Sequence, residues 1–206
     1  MFINEIHYQN RGPDVSEFVE IAYITGFPLA GHRLLFYDGG TGRVYKTTNL
    51  ASDLSASNND DTNGFTFAAY SVYSFSNPMR DGPDGVALVD NNDNVLDFIA
   101  YGRSFTATNG PASGLTPLLM GVVEASNGGP QNSLQLGGVG SQASDFLWQG
   151  SQLATPAGLN TGQTIICTGL ARSGADPVLV TPQRGIIKKT VEQAKVVDLV
   201  NSDNNN

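Results

Sequence analysis

The sequence predicts an all-β sandwich, and three observations predict it. Glycine is abundant, at 24 of 206 residues, and Asn, Asp and Ser cluster with it. These residues accept the positive φ angles and local side-chain bonds that tight turns need. Charged residues make up only 15% of the chain, too few for long charged helical faces. Between the turn signals lie short runs rich in Val, Ile, Phe and Tyr, at roughly the 8–12-residue spacing of a sandwich or barrel.

The elements follow in order. Phe2 to Tyr8 (FINEIHY) reads as a strand, and the QNRGPD after it is turn chemistry. Glu17 to Thr25 is a second strand, ended by Gly26-Phe27-Pro28. Arg33 to Tyr37 is a third; Asp38-Gly39-Gly40-Thr41-Gly42 turns the chain, and Val44 to Thr48 pairs back as a hairpin. Ser52 to Gly64 is polar and Asx-rich, and is expected to be a loop. Phe65 to Phe75 is aromatic and contains one or two strands, with Phe65, Phe67, Tyr70, Tyr73 and Phe75 expected mostly in the core, as is Trp148. Asp81 to Gly85 is a turn, and Val86 to Val89 and Val95 to Ala100 form a second hairpin around Asp90-Asn91-Asn92-Asp93-Asn94. Residues 102–131 are loop-like, Ser133 to Leu136 and Asp145 to Trp148 are the last strands, and Gly137-Gly138-Val139-Gly140 between them is expected to be a turn.

Residues 1–165 therefore read as one sandwich and residues 166–206 as an extension or linker. In Ile186 to Val200, Ile187, Val191 and Ala194 fall at helical spacing, so a short helix is expected, although the Val and Ile content also permits a strand. Charge separates the two parts. Residues 1–169 hold 6 basic and 15 acidic side chains, a net of −9, whereas residues 170–206 hold 5 and 4, a net of +1. Because Lys and Arg supply most of the affinity for phosphate backbones, the acidic body argues against direct nucleic-acid binding. The single cysteine, Cys167, excludes an internal disulfide and a cysteine-based zinc site. No stretch approaches the roughly 18 apolar residues of a membrane helix.

Catalytic constellations are sparse. Ser104, Ser113 and Ser133 lack the glycine-flanked elbow of a nucleophilic serine, and only His7 and His32 are available as bases. No enzymatic activity is expected. His7 with Glu5, Glu17 and Glu20 is one histidine among scattered carboxylates, below the ligand set of an ordinary zinc site. The plainer reading is that Glu5 and Glu20 are hydrogen-bonded and register the strands. Two Asx-rich loops offer the hard oxygen ligands that calcium takes, with Asp60 and Asp61 in one and Asp90 and Asp93 in the other. Asn and Asp are also the ordinary residues of turns, which need no ion.

The order of motifs carries a further inference. FINEIHY leads across a polar spacer to Glu17-Phe18-Val19-Glu20-Ile21; Gly85 to Asp90 and Val95 to Tyr101 follow. The body closes with Ser133 to Leu136, Trp148 and Thr155-Pro156-Ala157-Gly158-Leu159-Asn160. This succession resembles the lamin tail domain family, in the branch found at the N-terminus of secreted bacterial endonucleases of the exonuclease–endonuclease–phosphatase superfamily. The resemblance implies an immunoglobulin-like sandwich that binds partners and lacks a catalytic site. It also implies an exported or surface-exposed protein whose leader has been removed, with a cytoplasmic location as the other option. The expected function is a non-catalytic module that takes a protein or extracellular partner through loops or a sheet edge. Two alternatives are an accessory domain of a secreted nuclease and a subunit of a larger assembly docked through residues 170–206.

Overall fold

The computed structural model describes residues 1–13, 15–60, 64–71 and 79–166. In chain order the strands are β1 (Phe2–His7), β2 (Phe18–Ile24), β3 (Arg33–Asp38), β4 (Arg43–Asn49), β5 (Ala56–Asp60) and β6 (Phe65–Ser71). They continue as β7 (Asp84–Val89), β8 (Val95–Tyr101), β9 (Leu118–Leu119), β10 (Asn132–Gly140), β11 (Phe146–Leu153) and β12 (Gln163–Ile165). A larger sheet runs β11-β10-β1-β2-β6-β5, with β12 added parallel to β10; a smaller one runs β4-β3-β7-β8-β9. The all-β sandwich is as the sequence predicts.

The two sheets meet through Ile3, Ile6, Val19, Ile21, Ala68 and Tyr70 of the larger, and Leu34, Phe36, Val86, Leu88, Ile99 and Tyr101 of the smaller. All are essentially buried, and each large aliphatic side chain stabilises the fold by about 1.5–3 kcal/mol relative to exposure. Yet β1 and β7 are buried at every position rather than at alternate ones. The reason is that both outer faces are covered as well. Phe2, Ala22 and Phe67, which alternate with the inward set, pack with Phe146 and Ile165 from the C-terminal part of the body. On the other sheet Leu35, Tyr37, Ala87 and Phe98 pack beneath Ala107, Ala112 and Phe105. Residues 102–116 are thus a packed cover: the amide of Ala112 donates to the Tyr37 hydroxyl at 3.2 Å, and the amide of Val44 donates to Asn109 at 2.8 Å.

Three sequence expectations need correction. Ser52 to Gly64 is not wholly a loop, because Ala56–Asp60 pairs with β6 as an edge strand. Ladder bonds come from the backbone, so a polar run beside an open edge can pair without any apolar pattern. The glycine run 137–140 is the end of β10 and not a turn. Gly140 serves close approach, since a Cβ there would lie 2.1 Å from the Asp145 Cβ, and Gly138 supplies a positive φ of 123°. Two short strands were not expected at all: β12, of three residues, and β9, which pairs parallel to β8 within the expected loop 102–131. Phe65, Phe67 and Tyr70 are in the core as expected and Trp148 is half-buried. Tyr73, Phe75 and the helix expected within 186–200 lie outside the described residues.

Candidate functional site

The four residues weighed as a metal site are divided between separate hydrogen-bond networks. Glu5 and Glu20 are cross-strand partners in the β1–β2 ladder, and both are 0% exposed. A bulge between Ile3 and Glu5 puts Glu5 on the face that Glu20 takes by alternation with Val19 and Ile21, and both carboxylates meet the segment that follows β11. Glu5 accepts from Ser133 Oγ at 2.6 Å, from the Thr155 amide at 2.8 Å and from Thr155 Oγ1 at 3.0 Å. Glu20 accepts from Asn4 Nδ2 at 2.8 Å and from the amides of Ala157 at 2.5 Å and Gly158 at 3.4 Å. None of the ion pairs among the described residues involves either carboxylate. Burial pushes both pKa values up, and with the added charge of Glu5 the Glu20 carboxyl is pushed up to about 8.

Asn160 completes this network. Its Nδ2 donates to the carbonyls of Asn4 at 2.9 Å and Leu136 at 3.0 Å, between β1 and β10. Beyond that wedge β12 pairs with β10 at Gly138–Gly140. Gln163 Nε2 donates to Asn4 Oδ1 at 2.7 Å, and the Thr161 amide donates to Gln135 Oε1 at 3.2 Å. Residues 155–163 are therefore fastened to the sheet by side-chain acceptors and donors as well as by strand pairing.

His7 belongs to a different cluster. Its Nδ1 lies 2.8 Å from Glu124 Oε1, and its Nε2 lies 3.3 Å from the Val15 carbonyl. The other Glu124 oxygen accepts from the amides of Tyr8 at 2.6 Å and Gln9 at 2.8 Å. Burial alone lowers the His7 pKa, but the bond and charge of Glu124, with the Val15 carbonyl, outweigh it and hold the imidazole above its ordinary value. Glu17 accepts from the Met79 amide at 2.8 Å, and its charge adds to the rise of the His7 pKa.

Of the candidate calcium ligands, Asp61 lies outside the described residues and Asp60 ends β5. Asp90 and Asp93 share one hairpin turn but point to different partners. Asp90 accepts from the amides of Asn92 and Asn94, both at 2.8 Å, and from Asn94 Nδ2 at 2.8 Å. Asp93 takes the left-handed conformation at φ 64° and pairs with Arg33. Among the described residues no group of three or more His, Cys, Asp or Glu side chains is placed to hold a metal.

The most exposed apolar side chains lie on β10 and β11 of the larger sheet, although Val123, Leu118 and Leu119 are exposed elsewhere. Leu147 is 74% exposed, Leu153 66% and Val139 58%. Beside Leu147, a groove of about 450 Å³ runs over Gly137 and Gly138, walled by Gln149 and Gln152 on one side and Thr161 on the other. No family model, curated protein or solved structure matches the chain. The surface must speak through its own chemistry.

Sequence reasoning named Glu5, Glu20, Asp90 and His7, quoted Asn160 only within the closing motif and a sheet edge without saying which, and missed Glu124. Glu124 carried a signal: it is the only charged residue between Arg103 and Asp145. No helix among the described residues is long and apolar enough to cross a membrane.

Proposed function

We propose that the chain is a non-catalytic interaction module of an exported or surface-exposed protein, which takes a protein or extracellular partner at the β11 edge. The observation that carries this reading is the composition of that edge. β11 (FLWQGSQL) is the last strand on its side of the larger sheet and has no Lys, Arg, Asp, Glu or Pro. Proteins ordinarily blunt such edges with charge or proline, because the unpaired amides and carbonyls of an edge strand accept another chain. The other long edges are polar or charged: β4 carries Arg43 and Lys46, and β5 is Ala56-Ser57-Asn58-Asn59-Asp60. The resemblance to the lamin tail domain family, with its immunoglobulin-like sandwich, supports the same class of function.

The test is site-specific photo-crosslinking in the native source. A photoreactive residue at Gln149 on β11 is expected to give polypeptide adducts, and one at the exposed Thr47 on β4 is not. Equal yields at both positions, or none at Gln149, would overturn the proposal.

A further inference from the structure

Residues 155–166 lie against the larger sheet and are held there mainly by polar bonds. Ile165 is the one side chain of this segment in an apolar core cluster, and Leu159 and Ile166 are exposed. The remaining attachments are hydrogen bonds, with Glu5 accepting from Thr155 and Glu20 from Ala157 and Gly158 at their centre. Segments with few buried apolar contacts are the ones that open separately from the rest of a domain. Ala157 adds strain to the attachment. It sits at φ 61°, in the left-handed region that a side chain with a Cβ disfavours, and its own amide makes the 2.5 Å bond to Glu20. The bond to Glu20 thus holds a conformation that the chain would otherwise leave.

The charge that bears on Glu20 is that of Glu5. On β1 the next side chain along this face, His7, is bonded to Glu124. On β2 and β6 the neighbours of Glu20 are Phe18, Ala22 and Ala69, and β5 sets Ala56 beside Ala69, with Asp60 at its far end opposite Phe65. β10 offers Ser133 and Gln135, β11 offers Gln149 and Gln152, and residues 154–166 contain no ionisable side chain. Both carboxylates are 0% exposed beneath the segment, so water reaches them only when it lifts. A pair that holds a proton can keep its place there. Two ionised carboxylates facing each other without water repel, and departure of the segment that covers them relieves the repulsion. Burial and the charge of Glu5, which push the Glu20 carboxyl up to about 8, are in keeping with this.

We infer that residues 155–166 form a proton-controlled strap, closed while the Glu5–Glu20 pair holds a proton and opened by ionisation of the pair, with the rest of the sandwich still folded. Opening frees the Gly138 amide, which the Gly162 carbonyl accepts in the closed state, and the Gly140 carbonyl, which accepts from the Ile166 amide. Proton release alone therefore uncovers a stretch of β10 edge that can accept another strand. The inference does not depend on the reading of β11, which pairs along the opposite side of β10.

The experiment is native-state hydrogen exchange on the full chain between about pH 5 and about pH 8, expressed as protection factors so that the pH dependence of free-amide chemistry is divided out. Peptides covering 155–166 are expected to lose protection about tenfold or more per pH unit, the linkage of at least one proton. They are expected to exchange ahead of the β3–β7 ladder at every pH. About 1 M urea should leave their protection unchanged and lower that of the ladder, because a local opening exposes little surface. The double variant Glu5→Gln with Glu20→Gln cannot ionise at these positions, and its 155–166 protection should be flat with pH. Three outcomes would each overturn the inference: strap protection that ignores pH in the wild type, strap protection equal to the ladder in size and urea response, or a slope that survives in the double variant. The first two are read on the wild type alone, so the inference is open to refutation even where the double variant does not fold.

Discussion

At the centre of the larger sheet, Glu5 and Glu20 accept backbone amides from Thr155 and Ala157; at the hairpin tips, Asp38 and Asp90 accept the amides of their own turns. The bonding is the same and the surroundings are opposite. The Thr41 and Gly40 amides outweigh slight burial at Asp38 and hold its pKa below the ordinary value. At Asp90 burial acts upward, and the bonds from Asn94 and Asn92 overcome it. At Glu20 the same kind of bond from Ala157 is outweighed by burial and by the charge of Glu5. Donated hydrogen bonds favour the carboxylate at all of these sites, and at Glu20 the loss of hydration outweighs them. Local bonds in a turn fix a turn; the buried pair fixes a segment more than a hundred residues away in the chain.

The largest test of that contrast is Glu20→Ala. It leaves the Asn4 side-chain amide and the backbone amides of Ala157 and Gly158 without the Glu20 acceptor. A loss of about 3 kcal/mol in urea unfolding is expected, at the upper end for orphaned buried donors. Glu20→Gln keeps an acceptor and should lose less. The pH dependence has a definite sign. The folded carboxyl holds its proton up to about 8 against an ordinary 4.5, so the folded state binds more protons in that window. Stability is then fully present below 4.5 and is lost as pH rises through the folded value. His7, also raised, acts in the same direction, its contribution fading above its folded pKa. The advantage of wild type over Glu20→Gln should shrink from pH 4.5 to 8; an advantage that grew over that range would show that the carboxylate is the form the fold prefers.

Asn160→Ala is next in size. It frees the carbonyls of Asn4 and Leu136, both in the gap between β1 and β10. A cost of about 2 kcal/mol is expected. Hydrogen exchange locates it: the amides of Gly138 and Ile166, which bond across the β10–β12 pairing, should lose protection while the β3–β7 ladder does not. Uniform loss across both sheets would mean that Asn160 supports the whole sandwich and not the fastening of one segment.

How much of this could be read beforehand follows from the range of each interaction. β2, β3 and β8 were legible because their apolar runs end in local turn chemistry, and the Asp90 turn was legible for the same reason. Glu5 and Glu20 could be placed together once β1 and β2 were paired, since the two strands are adjacent in sequence. Their donors at 155–158 could not, because nothing in that segment's own composition says which sheet face it covers. β5 was hidden by polar residues that pair only because β6 offers an edge. Gly140 was misread because glycine marks a turn and a close contact with the same letter, and only the Asp145 side chain beside it decides between them. His7 was named without Glu124, which lies 117 residues away.

The smallest effect belongs to the exposed side of the comparison. Asp90→Ala removes the acceptor for the Asn92 and Asn94 amides, but the hairpin keeps its backbone bond from the Asp90 amide to the Asn94 carbonyl at 3.0 Å. Water reaches the freed amides, so the loss should be about 1 kcal/mol or less. Asp90→Asn keeps a neutral acceptor and should recover most of it. The pH signature is the reverse of that at Glu20: Asp90 is held below its ordinary 3.8, so its contribution is present above that value and lost as pH falls through the folded pKa. Thermal melts of wild type and Asp90→Asn should therefore separate near neutrality and converge in acid. Curves that instead converged on the alkaline side would place Asp90 with the buried pair and erase the distinction between turn and core carboxylates.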